Sequence, residues 1–203
     1  MTWSEMRYHA RNFRTHGVRR SCLRKSLALG LLTSLSTVSA EPGKKFQACT
    51  DYHCDIVKPV SLSPPQWEQV RQKLRHKISP HDEREQIRQA VALLETLVGN
   101  QVGTRGDLAR NDGEGSHPGQ LDCIAESLNT TTYLKLMEDD GLLQWHQVLE
   151  RKKRSIGFFA VHWTAVIREK ASRQKYAVDS WFLENGKPPV IQTIEEWKKR
   201  SDF

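Results

Sequence analysis

Residues 159–182 read FAVHWTAVIREKASRQKYAVDSWF, and this stretch decides the fold that we expect for the chain. Aromatic and β-branched residues at both ends flank a polar middle that suits a hairpin turn, which predicts two adjacent antiparallel strands. Side chains alternate along a strand. A register that pairs His162 with Asp179 and Val166 with Lys175, or one displaced by two residues, therefore places His162 and Asp179 on the same face as neighbours.

Residues 63–203 predict helices first and strands afterwards. Ser63 before Pro64-Pro65 and Ser79 before Pro80 are typical of helix starts, and Gly99-Asn100 is typical of a helix end. Asp122 predicts a third helix from Cys123 to about Met137. Further elements are strands at 142–149, 156–167 and 176–182 and a short terminal helix opened by Thr193. This order predicts an α+β fold in which helices are followed by an antiparallel sheet.

The net charge of +7 belongs almost wholly to the first forty residues. Residues 1–40 hold seven basic residues and one acidic residue, which leaves 24 basic and 23 acidic residues for 41–203. A nearly neutral remainder lacks the dense positive field that a nucleic acid attracts, so no nucleic-acid partner is expected. Arg151-Lys152-Lys153-Arg154 is interpreted as a solvated basic loop between strands.

The first forty residues have the pattern of an export leader. Basic residues reach Lys25, an apolar run of about a dozen residues follows, and Val38-Ser39-Ala40 offers the small residues that a signal peptidase needs. The run is shorter than the ~20 residues that span a bilayer, so a membrane anchor is the alternative and no stable insertion is expected after cleavage. Arg19-Arg20 leaves the Sec and twin-arginine routes open. The expected location is periplasmic or secreted, in a bacterium.

Export makes the cysteines informative, because an oxidising compartment favours disulfides. Cys49 and Cys54 are five residues apart and are expected to pair, with a metal site including His53 or two free thiols as alternatives. Cys123 is then left unpaired. At the start of a helix its thiolate is favoured by the positive end of the helix dipole, although Asp122 acts against this unless it caps the helix. The alternative for Cys123 is a buried structural cysteine.

A helix-start cysteine, a strand histidine and an aspartate on the next strand form a nucleophile, base and orienting group. Over residues 120–183 the chain resembles the transglutaminase-like branch of the papain-like cysteine enzymes. The resemblance implies a papain/transglutaminase-like core with Cys123 as nucleophile, His162 as general base and acid, and Asp179 as the orienting carboxylate. Ile124 stands where many members carry an aromatic residue. Gln120 is a candidate oxyanion donor, three positions before the cysteine.

The function that this resemblance implies is thiol-dependent hydrolysis or acyl transfer on amide bonds of peptides, proteins or cell walls. No cofactor and no metal is expected. One alternative is a non-catalytic exported binding or assembly protein on the same fold, in which His162 and Asp179 form a structural hydrogen bond. Another is an NlpC/P60-type peptidoglycan peptidase, which usually has a polar third residue, often His, where Asp179 stands.

Three segments follow from these interpretations: a leader at 1–40, an N-terminal extension at 41–62 and a transglutaminase-like domain at 63–203. Within the last, we expect a helical hairpin at 63–99, a loop at 100–120, the catalytic core at 121–183 and a C-terminal part at 184–203.

Overall fold

The computed structural model describes residues 43–111, 118–156 and 160–200; the expected leader lies outside the described residues. The fold is α+β, as the sequence predicts. The elements in chain order are β1 (Lys44–Cys49), β2 (Val57–Leu62), α1 (Pro64–Lys73), α2 (Pro80–Val102), α3 (Cys123–Asp139), β3 (His146–Ile156), β4 (Ala160–Glu169), β5 (Lys175–Asp179), β6 (Val190–Thr193) and α4 (Ile194–Lys199).

The predicted helix starts are confirmed by their caps. The Ser63 side chain accepts from the backbone N–H of Gln66, whose own side chain accepts from the Ser63 N–H, which forms a complete capping box. Helix α2 continues past the predicted end at Gly99 and stops at Gly103, which has a φ of 96°. Gly99 has a different role, because a Cβ there would lie 3.0 Å from the backbone nitrogen of Arg105. It permits a close approach of the chain and does not end the helix.

The larger sheet has the antiparallel order β3-β4-β5-β6. The first of its strands differs from the prediction, since β3 begins at His146 and continues through the basic run 151–154, with a register shift between Leu149 and Lys152. The interpretation of 151–154 as a loop is therefore wrong. An uninterrupted charged run in a strand gives a weak sequence signal, because apolar stems cover the sheet while charged ends reach water.

Residues 44–62, expected as an extension, add a two-stranded sheet to the domain. Strands β1 and β2 pair antiparallel, and Ala48, Val60 and Leu62 are buried in the main hydrophobic core. Beyond β1, Cys49 and Cys54 form a disulfide. The alternative of two free thiols at these positions does not apply to this structure.

The sheet of four strands is covered on both faces. Ala165, Ile167 and Val178 belong to the core that the helices α1, α2 and α3 build on one face. Val166 and Ala177, which alternate with them, pack with Trp197 of α4 on the other face. Across the described ranges, no helix combines the length and the apolar character that a membrane crossing requires.

Candidate active site

The hairpin of β4 and β5 brings His162 and Asp179 together. Its register pairs Val166 with Ala177, two residues displaced from the first of the registers that the sequence allows. Because the displacement is even, the two side chains stay on one face. His162 Nε2 lies 2.7 Å from Asp179 Oδ2, and both side chains are buried.

Aromatic rings hold the imidazole in one orientation. The ring centroid of His162 lies 4.8 Å from that of Trp181, 5.3 Å from that of Phe182 and 5.8 Å from that of Trp197. Trp197 Nε1 also donates to Asp179 Oδ2 at 2.7 Å. This second donor fixes the carboxylate from the far side, so α4 contributes directly to the site. Trp197 was expected only as part of a terminal helix, and no local sequence signal connects it to His162.

Cys123 is the first residue of α3 and is half-buried. Its Sγ lies 3.8 Å from the carbonyl oxygen of Val161, and the backbone N–H of Trp163 also reaches the sulfur. These two groups flank His162 in β4. Strand pairing with β5 ends at Ala165, and the N-terminus of α3 approaches β4 beyond that point. The sulfur therefore lies beside the histidine-bearing part of the strand.

The resting state of Cys123 is a thiol. Burial raises its pKa to about 11, and the negative charges of Asp122 and Asp179 act in the same direction. The N–H groups of Trp163 and of Cys123 itself favour the thiolate but are outweighed. The helix start favours the thiolate, as the sequence suggests, but this effect is too small, because loss of hydration costs the charged sulfur more than the helix terminus returns.

Asp122 caps α3 and connects it to the disulfide loop. Its Oδ1 accepts from the N–H of Ala125 at 2.9 Å, and its Oδ2 accepts from the backbone N–H of His53 at 3.1 Å. His53 and Cys54 have positive φ angles of 58° and 63°. Cys49 and Cys54 pack with Leu121 and Ala125, which lie two residues before and two residues after Cys123. The disulfide loop is thus a direct neighbour of the start of α3.

The structure holds the candidate oxyanion donor Gln120 in a neighbouring loop. Its Oε1 accepts from Leu108 N and Asn111 Nδ2, while its Nε2 donates to the carbonyl of Gly106 at 2.8 Å. These bonds join residues 106–111 to the chain just before Cys123. They give Gln120 a structural task, and none of them is directed toward the sulfur.

Three neighbouring buried carboxyl groups escaped the sequence reasoning: Glu95 of α2, Asp107 of the following loop and Glu126 of α3. Burial raises the pKa of Glu95 to about 7 and that of Asp107 to about 6. Burial and the charges of both neighbours raise the pKa of Glu126 well above its usual range, and its carboxyl shares a hydrogen bond with Asp107. The only local signal for any of them is the glutamate at position 126, in the first turn of the third helix.

Polar residues in the middle of α3 are used for contacts between elements and for bonds along the helix. The Asn129 side chain accepts from the N–H of Cys49 at 2.8 Å and donates to its carbonyl at 3.1 Å. The Thr130 hydroxyl lies 3.0 Å from that of Ser180, next to Asp179. Thr131 and Thr132 donate to carbonyls four residues earlier. Residues 129–132, which have a low helix propensity, therefore join α3 to β1 and to the end of β5.

Within the described ranges, no three His, Cys, Asp or Glu side chains are grouped so that they could hold a metal ion. Comparison of the chain with protein-family models, with curated proteins and with solved structures gave no match.

Proposed function

We propose that this protein is a thiol-dependent hydrolase or acyltransferase that acts on amide bonds through Cys123, His162 and Asp179. One observation carries this function: the His162 imidazole is hydrogen-bonded to a buried carboxylate on an adjacent strand, while the Cys123 sulfur lies against the backbone on both sides of His162. The proposed nucleophile, base and orienting group then lie near one end of the sheet, in the order along the chain that acyl transfer by a thiol uses.

The hydrogen bonds assign the protons. A carboxylate only accepts, and Asp179 Oδ2 also accepts from Trp197 Nε1, so His162 carries its proton on Nε2. The basic nitrogen is therefore Nδ1. Since Cys123 rests as a thiol, proton transfer to His162 accompanies attack on the substrate and does not precede it.

The chemistry then proceeds in two steps. The Cys123 sulfur bonds to the amide carbonyl carbon as its proton moves to His162 Nδ1. The C–N bond breaks, the amine leaves with that proton, and a thioester remains. In the second step water, or a second amine, gives its proton to Nδ1 and displaces the sulfur, which recovers the proton as a thiol. Water yields hydrolysis and an amine yields a new amide.

The compartment suggests the substrates. A basic leader with a small-residue cleavage motif directs the chain out of the cytoplasm, where peptides, proteins and cell-wall peptides are the available amides. A papain/transglutaminase-like arrangement of the core would suit all three.

A second candidate is an exported binding protein with a structural histidine. Two observations favour it: His162 is fully buried, and the Cys123 pKa of about 11 leaves little thiolate at neutral pH. In that case the His162–Asp179 bond stabilises the hairpin alone.

Alkylation of Cys123 distinguishes the two candidates. The full-length chain is treated with iodoacetamide at pH 7.5, and mass spectrometry of peptides separates Cys123 from Cys22. For the enzyme we expect His162→Ala to slow the reaction of Cys123 at least about tenfold, because the base that accepts the thiol proton is lost. The exposed His76→Ala is the control and should leave the rate unchanged.

Equal slow rates in the native chain and in His162→Ala would support the binding protein. For the enzyme, a mixture of peptides quenched in acid should leave an acyl group on Cys123, and Cys123→Ala should abolish this adduct.

A further inference from the structure

The face of the sheet next to Cys123 is left open where α3 begins. Odd-numbered residues of β4 face the helices, and Ala165 and Ile167 are fully buried there. Further along the strand Trp163 is only half-buried and Val161 is 45% exposed. The cysteine thus lies at the end of a short apolar strip of sheet, on the side from which a peptide could reach the sulfur.

Two basic side chains of β3 line this strip. Lys153 pairs across the strands with Trp163, and its Nζ lies 5.7 Å from the centroid of the indole ring. The guanidinium carbon of Arg151 lies 4.7 Å from the same ring. Both contacts have the geometry of a cation–π interaction, so the ring keeps two positive charges at the edge of the apolar strip.

Within the described part of the chain, Arg151 is anchored through one nitrogen. Its Nη1 donates to the Ser127 hydroxyl at 2.9 Å and to the Ile124 carbonyl at 3.3 Å, both in the first turns of α3. Among the described residues, Nε and Nη2 meet no acceptor, and no carboxylate lies within ion-pair distance of the guanidinium. Asp122 and Glu150 are close enough to act on its charge, and so is the Cys123 sulfur.

An arginine that is fixed at one nitrogen, lies over an indole and has no described partner at the other two nitrogens has the donor geometry for a carboxylate. Lys153, which is exposed and also near the ring, adds a second charge of the same sign. The two cation–π contacts with Trp163 do not take part in the backbone hydrogen bonds of the sheet.

Resting on the proposed function, we propose that Arg151 and Lys153 bind a carboxylate of the substrate beside the amide that Cys123 attacks, so the substrate is an acidic peptide. Its chain lies along Val161 and Trp163. The carboxylate belongs to an Asp or Glu side chain or to the peptide terminus; both have the same chemistry.

Small alkylating agents test this charge preference without a known substrate. We compare iodoacetate, which is anionic, with iodoacetamide, which is neutral, on the full-length chain at pH 9, where lysine is still charged. The rate ratio of iodoacetate to iodoacetamide at Cys123 should exceed that of free cysteine. It should fall about three- to tenfold in Arg151→Gln or Lys153→Gln, and 1 M salt should remove most of the preference.

The matched control is Arg75→Gln, which removes an exposed positive charge that pairs with Glu68 on α1. It should leave the ratio unchanged. Lys153→Gln is included because it removes a charge without removing hydrogen bonds to α3, whereas Arg151→Gln removes two of them. A ratio that stays the same in both variants, while iodoacetamide labelling still depends on His162, overturns the carboxylate site and leaves the enzyme proposal intact.

Three chloroacetyl compounds separate the sources of the carboxylate: N-chloroacetyl-aspartate α-amide, N-chloroacetyl-glycine and the neutral N-chloroacetyl-glycinamide. In each, the sulfur displaces chloride and forms a thioether. Faster labelling by the first indicates an acidic side chain, and faster labelling by the second indicates a free terminus. If neither anionic compound exceeds the neutral one, the acidic-peptide proposal is wrong.

Discussion

Asp122 has two opposed effects at the level of the single residue. Its carboxylate caps α3, which stabilises the helix that carries Cys123. Its charge also raises the pKa of the thiol, in addition to the larger effect of burial. The residue that positions Cys123 therefore makes its thiol harder to ionise. In the proposed mechanism, this conflict is a local reason for a base.

Asp122→Asn should separate these effects, because asparagine is a good N-cap without charge. We expect the pKa of Cys123 to fall toward its usual value. At pH 8, its alkylation by iodoacetamide should become roughly three- to tenfold faster. The dependence of the rate on pH, from pH 7 to 10, measures this directly.

Asp139→Asn serves as the control for Asp122, since it removes an exposed acid at the other end of α3. It should not change the rate. An Asp122→Asn protein that reacts no faster than the native chain would show that the charge of Asp122 does not raise the thiol pKa.

At the scale of the element, one buried side chain fixes where β3 begins. The Glu83 carboxylate of α2 accepts from the backbone N–H groups of Gln144, Trp145 and His146 and contacts the His146 ring. Burial acts to raise its pKa, but these hydrogen bonds outweigh burial and hold the pKa below its usual range. The strand predicted at 142–149 starts later because this carboxylate binds the chain just before it.

Glu83→Gln should lower the free energy of unfolding by about 2–3 kcal/mol, since hydrogen bonds to a charged acceptor are replaced by weaker ones and an amide nitrogen faces backbone donors. Urea unfolding followed by circular dichroism measures the change. Glu85→Gln, two residues away and exposed, loses only a pair with Arg88 and should change stability by less than about 0.5 kcal/mol. Equal effects of the two variants would contradict an anchoring role.

The disulfide loop, residues 49–54, is the second element that contacts the start of α3. Reduction of Cys49–Cys54 should lower stability by about 2 kcal/mol for so short a loop. The backbone bond from His53 to Asp122 then loses its fixed donor. Urea unfolding with and without dithiothreitol checks this. A Cys49→Ser, Cys54→Ser double variant should be insensitive to the reductant, whereas a native chain equally stable in both conditions would refute the prediction.

For the whole molecule, buried carboxyl groups of two kinds set the dependence of stability on pH. Glu95 and Asp107 have raised pKa values of about 7 and about 6, so the folded state binds more protons than the unfolded chain between their ordinary and raised values. Stability from these groups is complete below pH 4 and is lost as the pH rises through 6 and 7. Glu83 and Asp140 have lowered pKa values and lose their contribution as the pH falls below about 4.

Stability should therefore be greatest near pH 4 and should decrease by about 2 kcal/mol or more between pH 5 and pH 8. Urea unfolding at half-unit intervals of pH measures this profile. Glu95→Gln should flatten the alkaline side, because the amide cannot ionise. A profile that rises from pH 5 to 8 would contradict protonated buried carboxyls.

Sequence and structure agree most closely where short-range rules apply. Ser63, Ser79, Asp122 and Thr193 cap the helices that they were expected to open, because capping depends on residues three positions apart. The shared face of His162 and Asp179 follows from alternation along a strand, whichever even register is chosen. The polar run 151–154 and strands β1 and β2 gave too weak a pattern, since their burial depends on partners far along the chain.

The sequence by itself determined the α+β order, the helix starts and, for any even register, the shared face of His162 and Asp179, since these follow from the periods of helix and strand. Only the tertiary structure decided which register forms, that Cys123 rests as a thiol, that Trp197 holds Asp179, and that Glu95, Asp107 and Glu126 are buried together. Each of these properties depends on which polar and charged groups are buried next to one another. That is set by packing between residues distant in the chain and leaves no local pattern in the sequence.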